Sequence, residues 1–184
     1  MQQLKNVCVR SYRTPLFQYL TSRKLGIFFL GLCCLTLHAR AGTGNTPGQL
    51  TEVARNLSAQ LRLDETIEVR IDENNALLVS SEPLEGSARG FRISFDRKFL
   101  ETLSEDEISG AIAHELGHVW IFTHHPYLQT ETLANEIALR VVTRDTMTQV
   151  YSRLWARTGV AGNIDELLGP AVQKESVKNS VSLR

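Results

Sequence analysis

Residues 104–118 read Ser-Glu-Asp-Glu-Ile-Ser-Gly-Ala-Ile-Ala-His-Glu-Leu-Gly-His. The first four residues have the form of a capping box, in which the Ser104 hydroxyl accepts from an amide of the first turn and Glu107 reaches back to the cap amide. The three acidic residues of that turn also suit the positive end of a helix. We therefore predict a helix from about Glu105 to about Phe122, which ends before the sequence His124-His125-Pro126.

Two histidines of this predicted helix, His114 and His118, are one turn apart and so face the same way. Two imidazoles at this spacing can bind one Zn²⁺ through nitrogen. Glu115 lies beside the same face and can take a proton from a zinc-bound water, whose pKa falls from about 15.7 to about 7. This is the chemistry of the His-Glu-x-x-His motif. The alternative is a partly buried helix with two histidines on an exposed edge.

Gly117 stands inside the same helix. A glycine there costs about 1 kcal/mol relative to alanine. Its presence predicts that another backbone or a substrate approaches the helix closely at this point.

A catalytic zinc site needs a third protein ligand and one open position. Glu131 lies 13 residues after His118, on the next predicted helix. His124 lies six residues after His118, at the third-ligand position of the metzincin pattern. That pattern needs a glycine at the turn where this chain has Ile121, a residue that tolerates the required backbone poorly. We therefore favour Glu131 over His124 as the third ligand.

The surroundings of Glu131 support this choice. Ala134, Asn135 and Ala138 share its helical face by spacing, and the two alanines would allow this helix to pack close to the first. Asn135, one turn after Glu131, is expected to hydrogen-bond a metal-binding histidine or Glu131 itself.

The chain around the motif predicts a small α+β domain. Apolar spacing indicates a helix over residues 49–61, and alternation indicates strands over 66–71, 76–80 and 91–95. Turn residues at 72–75 suggest that the first two strands form a hairpin. Helices are predicted over 128–142 and 147–157, with a short helical stretch within 159–169. We expect a small antiparallel sheet packed on the helix that carries the two histidines.

The first 41 residues have the pattern of a secretory signal peptide. They contain six Lys or Arg and no Asp or Glu, and Leu25–Leu37 is an apolar run of 13 residues. Ala39-Arg40-Ala41 then supplies small residues for a peptidase. We expect cleavage after Ala41 and a periplasmic or secreted location, with an uncleaved anchor or a mitochondrial leader as the alternatives. Membrane association is expected only if the leader is retained.

Residues 42–184 carry 14 basic and 20 acidic residues, a net charge of −6. This balance argues against nucleic acid as a partner. All three cysteines lie within the leader, so the rest of the chain has neither a disulfide nor a thiolate metal site. We divide the chain into a signal peptide (1–41), a zinc metallopeptidase domain (42–172) and a polar, disordered tail (173–184).

Residues 75–118, together with Glu131-Thr-Leu-Ala-Asn135, resemble the HtpX-like gluzincin metallopeptidases. In that family the third zinc ligand is the Glu of a Glu-x-x-x-Asp motif on a later helix, and Asn135 here replaces the Asp. The resemblance implies a zincin architecture, with zinc held by His114, His118 and Glu131 and with Glu115 as the base. A weaker similarity to the ImmA/IrrE-type peptidases gives the same assignment. The resemblance also implies that residues 89–95 form an edge strand that pairs with an extended peptide.

We expect a zinc-dependent metalloendopeptidase that cleaves exported or envelope proteins, with a protein or peptide as its partner. The alternatives are a catalytically silent zinc-binding adaptor or chaperone-like module, and a metzincin-type or cell-wall amide zinc hydrolase. Glu115 favours catalysis, since a binding-only site would not need it. An oxyanion stabiliser is also required, and the possible donors are Tyr127, His124, His125, Arg140 and Arg144.

Overall fold

The computed structural model describes residues 45–171. The predicted leader (1–41) and tail (173–184) lie outside the described residues. The elements, in chain order, are α1 (Pro47–Leu61), β1 (Thr66–Asp72), β2 (Val79–Pro83), β3 (Gly90–Asp96), α2 (Arg97–Leu100), α3 (Glu105–His124), a 3₁₀ turn (Pro126–Leu128), α4 (Glu131–Ala138), α5 (Arg144–Thr158) and α6 (Ile164–Leu168). Within residues 45–171, no helix has both the length and the apolar character needed to cross a bilayer.

The three strands form one sheet in the order β1-β3-β2, and the predicted α+β class is confirmed. The predicted hairpin is wrong, because β1 and β2 lie on opposite sides of β3. The sheet is also mixed: β1 runs parallel to β3, and β2 runs antiparallel to it. Residues 89–95 are therefore the central strand and not the edge that the resemblance implied.

A turn at Asn75 explains why β2 begins later than predicted. The Asn75 side chain accepts from Leu77 N at 3.0 Å, and its backbone carbonyl accepts from Leu78 N at 2.9 Å. Leu78 has a φ of 65°, which breaks an extended chain. The Asn75 amide also donates to Ser94 O at 2.9 Å, which ties the turn to β3.

The two faces of the sheet differ in polarity. Ile67, Val69 and Ile93 are buried on the face that packs against α1 and α3. On the opposite face, Arg92 lies 2.6 Å from Glu68 and 3.7 Å from Glu82, one carboxylate on each neighbouring strand. The apolar face therefore directs the sheet onto the helix that carries the histidines.

The start of α3 has the predicted capping box. Glu107 N donates to Ser104 Oγ at 3.2 Å, and Ser104 N donates to Glu107 Oε2 at 2.6 Å. Arg153 on α5 donates to the other oxygen of Glu107 at 2.9 Å. One buried carboxylate thus caps α3 and links it to α5.

Helices α3 and α4 pack closely at Gly117, where a Cβ atom would lie 2.4 Å from the backbone oxygen of Ala134. The predicted approach of another backbone to this glycine is confirmed. Ala134 and Ala138 are fully buried in the contact. Helix α4 is shorter than predicted at both ends, and it begins later because Thr130 caps it by accepting from Leu133 N at 3.2 Å. Glu131 is consequently its first residue.

Candidate metal centre

Three potential ligands meet between α3 and α4. His114 and His118 project from α3, and Glu131 projects from the first position of α4. Each offers one ligand atom, and these atoms all lie within 4.8 Å of one another. The Glu131 side chain is 38% exposed, whereas those of His114 and His118 are 15% and 7% exposed. The two imidazoles are therefore largely buried, whereas the carboxylate is partly exposed to solvent.

The spacing of these atoms fits a tetrahedral zinc ion. An ion about 2.0–2.1 Å from two nitrogens holds them about 3.3 Å apart, and the Nε2 atoms of His114 and His118 are 3.2 Å apart. The Glu131 oxygens lie 3.2 Å from His114 Nε2 and 3.6 Å from His118 Nε2. The two nitrogens and the carboxylate of Glu131 are therefore close enough together to bind one ion.

Asn135 sets the orientation of the His114 ring, as expected from its position one turn after Glu131. Its Nδ2 donates to the backbone oxygen of Leu167 at 3.1 Å, and its Oδ1 lies 2.8 Å from His114 Nδ1. Because a carbonyl oxygen only accepts, the Asn135 amide nitrogen must face Leu167 and its oxygen must face His114. In the neutral ring, His114 Nδ1 therefore carries the proton, and Nε2 keeps its lone pair for a metal.

Gln129 does the same for His118. Its Nε2 donates to the backbone oxygen of His118 at 3.2 Å, so its Oε1, 3.1 Å from His118 Nδ1, must accept. In their neutral forms, both histidines therefore direct the lone pair of Nε2 to the same point. Sequence reasoning missed Gln129, because a lone glutamine in a loop carries no signal of its role.

Glu131 is ionised in this setting. Burial raises the pKa of its carboxyl, but the hydrogen bonds and charges that His114 and His118 supply in their protonated forms outweigh burial and hold the pKa well below its usual range. An ionised carboxylate that can bind a cation therefore faces the two imidazoles.

Glu115 lies beside the cluster and is only 7% exposed. Its Oε2 accepts from the Ser81 hydroxyl of β2 at 2.7 Å. Ser81 carries no recognisable motif, and it was missed because a contact between β2 and α3 depends on the sheet order.

The alternative ligand and the predicted oxyanion donors, His125 included, are not among the three clustered side chains of the described residues. His124 stacks on Trp120 with ring centroids 4.3 Å apart, and Arg140 lies 5.4 Å above the same indole. Tyr127 is 98% exposed. Arg144 donates to Leu168 O at 2.8 Å and pairs with Asp165. None of these four is among the residues that form the cluster in the described part of the chain.

Tyr151 of α5 is a further residue that sequence reasoning missed. Its ring packs edge-on against His114, with centroids 6.2 Å apart. Its hydroxyl lies 2.8 Å from Asn135 Nδ2, and burial raises the pKa of the phenol. A neutral Tyr151 is thus hydrogen-bonded to the Asn135 amide, which orients His114.

The sequence was also compared with known proteins. The model of peptidase family M48 matches residues 49–182, a range that includes His114, Glu115, His118 and Glu131. No curated protein and no solved structure matches the chain.

Proposed function

From the premise that this chain belongs to peptidase family M48, whose members are metallopeptidases, we propose that it is a zinc-dependent metalloendopeptidase. His114, His118 and Glu131 are the proposed zinc ligands, and Glu115 is the proposed general base. The observation that carries the proposal is the convergence of two Nε2 atoms, 3.2 Å apart, on the carboxylate of Glu131.

Zinc at this point would act as a Lewis acid and would make a water molecule acidic enough to attack at neutral pH. Asn135 and Gln129 would keep both imidazoles in the tautomer that binds metal. Glu115 would accept a proton from the attacking water and return it to the leaving amine.

The edge strand β2 supports an extended peptide as substrate. Asp96 N donates to Leu78 O at 2.7 Å, and Leu84 N donates to Gly90 O at 2.8 Å, one at each end of the strand. Along an antiparallel ladder, every second residue exchanges main-chain hydrogen bonds with the partner strand. Because Leu78 and Leu84 both bond to β3, the even-numbered residues between them also do so. The odd-numbered residues direct their main-chain groups to the open edge.

Those odd-numbered residues are Val79, Ser81 and Pro83. Proline has no N–H, and Val79 N already donates to Leu77 O at 2.8 Å. Ser81 therefore offers the edge both an N–H and a C=O. An extended segment added to β2 would use Ser81 as its principal main-chain anchor.

The location and the source of the substrate follow from the leader pattern of residues 1–41. A chain exported by such a leader meets proteins of the envelope or the exterior. We therefore propose unfolded or extended segments of exported proteins as the substrate class.

The test compares bound zinc and casein cleavage in the wild-type protein, Glu115→Gln and Glu131→Ala. We expect about one zinc per chain in the wild type. Glu115→Gln should retain zinc and lose at least about a hundredfold in kcat, whereas Glu131→Ala should lose zinc. Zinc binding by the wild type without cleavage of any peptide would instead support the silent adaptor, and normal zinc in Glu131→Ala would refute the ligand assignment.

A further inference from the structure

We propose that Ser81 is a positioning residue that holds the Glu115 carboxylate in place for proton transfer. The inference deepens the function proposed above and rests on it, since it needs Glu115 to act as the base. It assigns a role in the reaction to a residue of the edge strand β2, outside the His-Glu-x-x-His motif.

The first observation is the direction of the hydrogen bond. The Ser81 hydroxyl donates to Glu115 Oε2 across 2.7 Å, with the carboxyl oxygen as the acceptor. The backbone oxygen of Glu115 is 3.5 Å from the same hydroxyl, at the outer limit for a hydrogen bond. The hydroxyl hydrogen therefore points to the carboxylate of Glu115 and not to its backbone oxygen. A bond of this length to a charged acceptor is among the stronger hydrogen bonds in proteins.

The second observation is the rigidity of the donor. Ser81 lies opposite Ile93 in the ladder between β2 and β3, and Ile93 is fully buried. The sheet therefore fixes the backbone that carries the hydroxyl, and this backbone belongs to a different element from α3, the helix that carries Glu115. A glutamate has three rotatable side-chain bonds, and an anchor on a second element removes much of that freedom.

The third observation is the position of Ser81 on the open edge. Its side chain reaches Glu115, while its main chain faces the place where an extended peptide would add to β2. A substrate anchored at Ser81 is thus placed in register with the base. A rigid link of this kind matters because a displacement of about 1 Å in a reacting group can cost about a hundredfold in rate.

The test uses the purified zinc-loaded protein with Ser81→Ala, Ser81→Thr and Ser80→Ala. We expect Ser81→Ala to lower kcat about 10- to 100-fold, with KM and zinc content close to those of the wild type. Ser81→Thr retains a hydroxyl, suits a strand, and should restore most of kcat. Ser80→Ala is the matched control: its hydroxyl accepts from Asn75 at 3.0 Å, away from Glu115, and kcat should stay near the wild-type value.

A double-variant cycle and a crystal structure separate positioning from general damage. Glu115→Asp withdraws the carboxylate from Ser81, so adding Ser81→Ala to it should cause little further loss of kcat. In the Ser81→Ala crystal structure, the Glu115 carboxylate should leave its present position.

Several outcomes would overturn the inference: an unchanged kcat in Ser81→Ala, an equal loss in Ser80→Ala, no rescue by threonine, or a full additional loss when Ser81→Ala is added to Glu115→Asp. These outcomes are distinct from a failure of the proposed function. If Glu115→Gln cleaves peptide as fast as the wild type, the general-base assignment fails for every Ser81 variant.

Discussion

Asn135 is a buried amide with a defined direction. It has no exposed surface, and it joins His114, Tyr151 and the Leu167 carbonyl. An aspartate in its place could still accept from His114 and Tyr151. It could not donate to Leu167 O, and it would add a charge one helical turn from Glu131. The amide therefore suits these surroundings better than the carboxylate that the resemblance leads one to expect.

We predict that Asn135→Asp lowers the free energy of unfolding of the zinc-free protein by about 1–3 kcal/mol, since the part-buried carbonyl of Leu167 loses its donor. Urea unfolding in the presence of a chelator measures this change. Asn56→Asp, the same replacement at an exposed position of α1, is the control and should change stability by less than about 0.5 kcal/mol. An Asn135→Asp protein as stable as the wild type would contradict this account.

At this scale the sequence predicts residues that belong to a spacing pattern. His114 and His118 were found from helical period, Glu131 from its place on the next predicted helix, and Asn135 from its place one turn after Glu131. Gln129 and Ser81 escaped prediction because their partners are set by a loop and by the order of strands. Loop geometry and strand order leave no repeating pattern in a single sequence, so the contacts that depend on them cannot be predicted from spacing.

The contact between α3 and α4 depends on Gly117. A Cβ atom there would lie 2.4 Å from Ala134 O and 2.9 Å from Ala134 Cα, which are backbone atoms of α4. We predict that Gly117→Ala destabilises the protein by about 1–3 kcal/mol, because overpacking outweighs the gain in helix propensity. The measurement is urea unfolding of the zinc-free protein.

Gly110→Ala is the matched control within the same helix. Its added Cβ would meet side-chain methyl groups of Thr146 and Val150, each at 2.9 Å, and these can shift more easily than backbone. Its cost should be clearly smaller than that of Gly117→Ala. An equal cost would mean that the close backbone approach is not what requires glycine at position 117.

Glu107 should make the stability of α3 depend on pH. Burial raises the pKa of its carboxyl, but hydrogen bonds from the Ser104 amide and from Arg153 outweigh burial and leave the pKa below its ordinary value of about 4.5. A lowered folded-state pKa stabilises the fold above the unfolded value, and this contribution is lost as the pH falls through the folded value. The stabilisation by Glu107 is therefore complete at pH 7 and declines below about pH 4.5.

We predict that Glu107→Gln lowers the free energy of unfolding by about 1–3 kcal/mol at pH 7, and that this difference shrinks as the pH falls below 4.5. Urea unfolding of the zinc-free proteins at several pH values between 7 and 3.5 measures the difference. Glu105→Gln, at an exposed position of the same turn, should show a much smaller effect. A difference for Glu107→Gln that is independent of pH would refute the role of its charge.

Among the elements, those with a strong local signal were predicted. The capping box located the start of α3, and apolar spacing located α1. The pairing of β1 with β2 was predicted wrongly, because a turn sequence indicates a reversal but not which strand the chain then joins. β3 takes the centre because its side chains can be buried, whereas β2 ends in exposed Glu82 and Pro83.

At the scale of the whole molecule, the site joins parts that are distant in sequence. α3 supplies two of the proposed ligands and the base, and α4 supplies the third ligand. β2 hydrogen-bonds the base through Ser81, and α5 hydrogen-bonds Asn135 through Tyr151. Zinc at this point would cross-link α3 and α4. Metal binding and folding should therefore be thermodynamically linked.

We predict that the unfolding temperature rises with free zinc concentration, with a stabilisation of about 2.7 kcal/mol when zinc is 100-fold above its dissociation constant. Removal of zinc by a chelator should lower the unfolding temperature reversibly. His118→Ala and Glu131→Gln should lose most of this response, because each removes one proposed ligand. His124→Ala should keep it, since that imidazole stacks on Trp120 outside the cluster. Thermal melts at fixed zinc activities measure all four proteins. If His124→Ala loses the response while Glu131→Gln retains it, zinc binds elsewhere and the link between α3 and α4 is not made by the metal.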